Sequence, residues 1–133
     1  MKIFLDTSFI VAYAVEKDEN NNLATELDNK GIFDNECFIS NLIINEIITV
    51  IGNKEDLQTA IKTYTAIKDN CTIINECNII NFNEKVLNTY KKHNTNLSYT
   101  DSGIIEIMKE NNINKLVSFD KYFDKITHIE RIH

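Results

Sequence analysis

The sequence predicts an α/β domain: a mainly parallel sheet of about four to five strands with helices on both faces, hence three layers. Three observations predict it. Short apolar runs of strand length alternate with longer segments of helical period. Pro is absent and Gly occurs only three times in 133 residues, so no linker divides the chain and residues 1–133 read as one domain. Finally, Asp6 and Asp120 each follow a predicted strand, and in such sheets working residues gather at the carboxyl ends of strands.

The elements follow in order. "KIFL" is a strand, "TSFIVAYAVE" a short helix and "NNLATELDNKG" a second helix ending at Gly31. "ECFIS" is the second strand. "NLIINEIITVIG" is a helix that Ser40 caps and Gly52 closes. "KEDLQTAIKTYTAIKDN" is a longer amphipathic helix, and its Leu57, Ile61, Tyr64 and Ile67 read as core on periodicity. "CTIIN" is the third strand, followed by helices at "NEKVLNTYKKHN" and "YTDSGIIEIMKENN". "KLVSF" is the fourth strand and "HIERI" the fifth. The Asn-rich stretches fall between these segments, where Asn supplies left-handed turns in a chain nearly without Gly.

Hydrophobic residues at 43% and charged residues at 26% describe a soluble globular protein. No apolar run approaches the roughly 20 residues of a membrane span, and the short N-terminal apolar stretch runs directly into Asp6 instead of forming a signal core. The expected setting is cytoplasmic, with Cys37, Cys71 and Cys77 as reduced thiols. No CxxC and no closely spaced His pair suggests structural zinc. A net charge of −6 argues against gripping nucleic acid over a broad basic surface. It leaves room for a nuclease whose acids hold cations where a phosphate sits.

Four acids carry the chemistry, each with a plainer alternative. Asp6 either caps the helix after it or serves a site at the strand end. A phosphatase using it as nucleophile would want a second Asp two residues on, but Ser8 stands there. Glu46 lies off the polar stripe of Asn41, Asn45 and Thr49, flanked by Leu42 and Val50. It either reaches solvent from the helix edge or points to the strand ends. Asp101, with Ser98, matches a capping box, and its carboxylate has acceptor sites enough for a second role. Asp120 is a cap or a strand-end acid, and Asp124 competes for the same role. Lys115, Lys121 and Lys125 either form a solvated face or meet a phosphate backbone. If the fold unites the acids, their repulsion calls for cations, and oxygen ligands without nearby His or Cys point to Mg²⁺ or Mn²⁺.

Together, "IFLDTSFIVA", "ISNLIINEI", "LSYTDSGIIEIMKENN" and "LVSFDKYFD" occur in an order that resembles the PIN domain family, in particular the small VapC-type toxin proteins. The resemblance implies a PIN-like α/β/α fold in which Asp6, Glu46, Asp101 and Asp120 form an acidic quartet that binds metal. Asp124 matches an auxiliary metal-site acid found in part of the family. Ser8, with Thr7 or Thr100, matches hydroxyl positions that orient the attacking water. It further implies an Mg²⁺- or Mn²⁺-dependent ribonuclease that leaves a 5′-phosphate and a 3′-hydroxyl on its RNA substrate, forms a homodimer and is restrained by a small antitoxin protein. The helix pair containing Leu57 matches the surface that meets antitoxin or dimer partner. The competing expectation is a catalytically silent PIN-fold binding or scaffold module, with the acids engaged in caps or ion pairs.

Overall fold

The computed structural model describes residues 1–94 and 96–133. Five strands form one all-parallel sheet: β1 (Lys2–Leu5), β2 (Glu36–Ser40), β3 (Thr72–Ile74), β4 (Lys115–Val117) and β5 (Glu130–Ile132), in the order β3-β2-β1-β4-β5. Between them run α1 (Thr7–Ala14), α2 (Asn21–Asn29), α3 (Asn41–Lys54), α4 (Leu57–Asn70), α5 (Phe82–Lys92) and α6 (Tyr99–Glu110). Parallel pairing requires crossover segments, and the helices supply them except between β4 and β5, where the 3₁₀ turn Lys121–Lys125 does so. The strand order reverses at β1, which has β2 on one side and β4 on the other. The carboxyl ends of β1 and β4 therefore flank a natural crevice.

The core explains the strand sequences. Ile3, Phe4 and Leu5 are fully buried, because a central parallel strand is covered on both faces and reads as an unbroken apolar run. Ile43, Ile47 and Ile51 form the buried face of α3 at helical spacing, and Ile104, Ile105, Ile107 and Met108 bury most of α6. Asn81, Asn94 and Asn112 adopt positive φ as expected of Asn in turns, joined only by Gly31 among the glycines. Cys37 is buried, Cys71 half-buried and Cys77 exposed, all as free thiols. No helix among the described residues is long and apolar enough to cross a membrane.

Three local expectations are corrected. Helix α3 does not close at Gly52 but runs to Lys54; an added Cβ there would meet no neighbouring atom, so this glycine is a tolerated interior residue. Ser40 does precede α3, yet its hydroxyl forms no cap and is buried without a partner among the described residues. The first amide of α3, Asn41 N–H, donates instead to the carboxylate of buried Glu76 at 3.3 Å. The largest correction concerns α4. Ala60 and Ile67 are buried, while Leu57, Ile61 and Tyr64 are 67%, 48% and 39% exposed. The helix packs chiefly on α3, leaving the rest of its apolar stripe facing outward.

Candidate active site

Four segments remote in sequence deliver carboxylates to one open cleft of about 370 Å³ beside the carboxyl ends of β1 and β4. Asp6 arrives directly after β1, Glu46 from α3, Asp101 from the first turn of α6, and Asp120 just after β4. Ser8 and Ser98 line the cleft with them.

Asp6 occupies the N-cap position of α1, but its side chain caps nothing. Its Oδ2 accepts hydrogen bonds from the hydroxyls of Ser118 at 2.6 Å and Ser8 at 2.9 Å. At 4% exposure, burial pushes its carboxyl above the ordinary range. The two hydroxyls and the Thr7 backbone pull it back, and the negative charge of Glu46 raises it further. Ser118, fully buried, also accepts from the Asp120 amide at 3.0 Å, and Ser8 accepts from the Phe119 amide at 3.0 Å. With both hydroxyl protons directed at Asp6, the 3.2 Å separation of Ser8 and Ser118 is an approach of two acceptors rather than a third bond. This network ties the end of β1 to the end of β4.

Glu46 is half-buried on the ridge of Leu42 and Val50, turned to the cleft instead of to solvent. Thr7 donates its hydroxyl to Glu46 Oε1 at 2.6 Å. Asp101 completes a reciprocal capping box: its amide donates to Ser98 Oγ at 3.0 Å, and its Oδ2 accepts from the Ser98 amide at 3.3 Å. The cap and the place in the cleft coexist. Burial first, then the charge of Asp6, raises the Asp101 carboxyl to about 6; the Ser98 bonds oppose this and Asp120 adds to it. Asp120 opens the 3₁₀ turn Lys121–Lys125 and accepts from the Tyr122 amide at 2.9 Å.

Asp124 is not brought into the cleft. Both of its oxygens are taken by Arg131, at 2.8 Å from Nε and 2.9 Å from Nη2, and the guanidinium holds the carboxyl below its usual range. Arg131 also donates to the Ser118 carbonyl at 3.0 Å, which explains why this pair forms beside β4 rather than at the cleft. Thr100 does not line the cleft either. Ser118 is the residue sequence reasoning left without a role. Its signal was strand alternation in "LVSFD", which sets Ser118 and Asp120 on one side of the chain leaving β4.

The donor set suits a hard divalent cation: mutually repelling carboxylates, with no His or Cys in the lining, at the wall of a cleft that is itself open to solvent. Among the described residues no three acidic, imidazole or thiol side chains already surround one point as an ion would require. The acids instead hold hydrogen bonds within the chain, which rotation about Glu46 and Asp101 side-chain torsions would exchange for a cation.

Comparison with known proteins identifies the fold and the family. The chain resembles Mycobacterium tuberculosis VapC20, described as a sarcin-ricin loop cleaving toxin, with TM-score 0.81 and 18% identity over 93% of this chain and 94% of that one. It resembles Rickettsia felis VapBC2, solved bound to a promoter DNA fragment, with TM-score 0.69 and 16% identity over 99% and 98%. DNA-bound VapBC from Salmonella typhimurium gives TM-score 0.68 and 13% identity over 99% and 97%. At these identities the likeness is one of fold. No curated protein sequence matches significantly. The PIN domain family model matches residues 3–129, and on that match across nearly the whole chain the protein belongs to the PIN domain family.

Proposed function

We propose that this protein is an Mg²⁺- or Mn²⁺-dependent endoribonuclease, the toxin of a toxin–antitoxin pair. One observation carries the reading: Asp6, Glu46, Asp101 and Asp120, from four separate segments, line one cleft at the reversal of strand order. The likeness to VapC20, a toxin that cleaves the sarcin-ricin loop, supports RNA as the substrate class. Asp6, Glu46, Asp101 and Asp120 would hold the ions. Divalent cations there supply Lewis acidity that activates water and stabilises the leaving oxygen of a phosphodiester.

The chain's own groups do the positioning. Ser118 and Ser8 fix the Asp6 carboxylate with two hydroxyl bonds and couple it to Asp120 through the Asp120 amide. Ser8 spends its proton on Asp6, so its remaining capacity toward water is as an acceptor. Thr7 orients Glu46, and the capping box orients Asp101. A small antitoxin or a second copy of the chain suits the outward stripe of Leu57, Ile61 and Tyr64, since exposed apolar side chains aligned along one helix favour a protein partner.

The test is cleavage of end-labelled structured and unstructured RNAs with Mg²⁺, Mn²⁺ or EDTA, with Asp101→Asn alongside. Metal-dependent cleavage that the variant lacks is expected. Because all four acids have intramolecular hydrogen-bond partners, a second reading is a silent PIN-fold scaffold. Absence of both cleavage and calorimetric Mn²⁺ binding would favour it.

A further inference from the structure

Charge is divided unevenly along the chain. Residues 1–84 carry six Lys against fourteen Asp and Glu, a balance of −8, whereas residues 85–133 carry eight Lys and Arg against six acids, a balance of +2. The division recurs around the cleft. On the side of the connector between α1 and α2 it is lined by Asp18 and Glu19, and Lys54 at the end of α3 is the one cation in the lining among the described residues. On the other side, Asp120 leads straight into the turn that bears Lys121 and Lys125.

That turn is joined to the end of α5. Tyr122 Oη lies 3.4 Å from His93 Nδ1 with the rings edge-on, and Lys125 Nζ lies 5.0 Å over the Tyr122 ring. Lys91 and Lys92, on the last turn of α5, immediately precede His93. Lys91, Lys92, Lys121 and Lys125 are all exposed, and among the described residues none is in an ion pair. Lys85, Lys109, Lys115 and Arg131, the other cations of this half, are each paired with a carboxylate. Four lysines without a carboxylate partner thus stand on two segments that meet through His93 and Tyr122, and the Tyr122 amide joins them to Asp120.

A polyanion approaching over Asp18 and Glu19 meets like charge, whereas over the lysine flank each phosphate can displace counterions. We propose that the RNA backbone runs from the cleft across Lys91, Lys92, Lys121 and Lys125, so that a protein of net charge −6 grips its substrate along one edge. This track rests on the ribonuclease reading.

The experiment measures fluorescence anisotropy of a labelled stem-loop RNA in EDTA, where no cleavage occurs, as a function of salt. The proteins are wild type, Lys91→Gln/Lys92→Gln, Lys121→Gln/Lys125→Gln, the four combined, and Lys30→Gln/Lys68→Gln as a control that removes two charges at the end of α2 and on α4. Melting temperatures check that all are folded. The combined variant is expected to bind about ten-fold or more weakly at about 0.1 M salt, with a salt slope reduced by about 0.7 for each phosphate left without its ammonium partner. The control should stay within about twofold. Equal effects in the control and in either double variant, no effect in any variant, or no RNA binding by wild type would overturn the track. Parallel assays with Mg²⁺ or Mn²⁺ separate the two readings. Lysine-dependent binding without cleavage would uphold the track and sink the ribonuclease. Cleavage with binding indifferent to the lysines would do the reverse.

Discussion

The two halves of the carboxylate cleft are built differently. Asp6 and Asp120 belong to the sheet: they follow adjacent parallel strands and share the buried hydroxyl of Ser118. Glu46 and Asp101 belong to helices, and each is held by one residue: Thr7 at the start of α1 for Glu46, and the N-cap Ser98 for Asp101. In the sheet half, buried Asp6 accepts from two hydroxyls in a network that also takes the Asp120 amide, while in the helix half each carboxylate answers to a single residue, whose bond side-chain rotation would release. A rigid pair facing an adjustable pair suits a cation site that must admit a bulky substrate, since placement comes from one half and accommodation from the other.

The sharpest test of that contrast is Asp101→Asn, which removes charge from the adjustable half. RNA cleavage should fall by on the order of 100-fold or more, while stability in EDTA below about pH 4, where the carboxyl is protonated folded or unfolded, changes by about 1 kcal/mol or less because Asn retains capping ability; kinetics beside urea unfolding would read both. Ser118→Ala attacks the fixed half instead. It should lower Mn²⁺ affinity or activity by about 10–100-fold and stability by about 1–3 kcal/mol, because buried Asp6 loses a donor and the Asp120 amide an acceptor. If Ser118→Ala costs stability but leaves Mn²⁺ affinity intact, the sheet half is structural only.

A smaller effect comes from pH. The folded carboxyl of Asp101 lies at about 6, above its ordinary 3.8, so the folded state holds that proton more tightly than the unfolded one. Its contribution is full below about 4 and is lost as pH rises through about 6. In EDTA, the urea midpoint of Asp101→Asn should therefore gain on that of wild type between those limits, and a constant difference would refute the shift. Added Mn²⁺, which favours the ionised acid, should raise the wild-type melting temperature more at about pH 7.5 than at about pH 5.

The smallest effect is expected outside the cleft. Asp124→Asn breaks the pair between an exposed carboxylate and the buried side chain of Arg131, and cleavage should be unchanged within about twofold. Because Arg131 depresses the folded Asp124 carboxyl, the stability it provides is present above the unfolded value and fades as pH falls through the folded one. A large loss of cleavage would bring Asp124 back to the metal.

Wherever the governing interaction is local, the chain could be read directly. Strand length and helical period set the alternation of elements. Ser98 and Asp101 form their capping box three residues apart, and Asn fills the left-handed turns. The position of Glu46 between Leu42 and Val50 already turned it from the polar stripe of α3. Other features depend on neighbours distant in sequence. Whether Asp6 caps α1 or enters a buried network is decided by Ser118, 112 residues away, brought alongside by parallel pairing of β1 with β4. Asp124 is drawn from the cleft by Arg131 on β5, and Glu76 takes over the helix start that Ser40 was expected to cap. The period of Leu57, Ile61 and Tyr64 marks α4 as amphipathic, but period alone cannot say which face finds cover. Local propensity is written in adjacent residues; burial and charge pairing arise only when the sheet brings remote segments together.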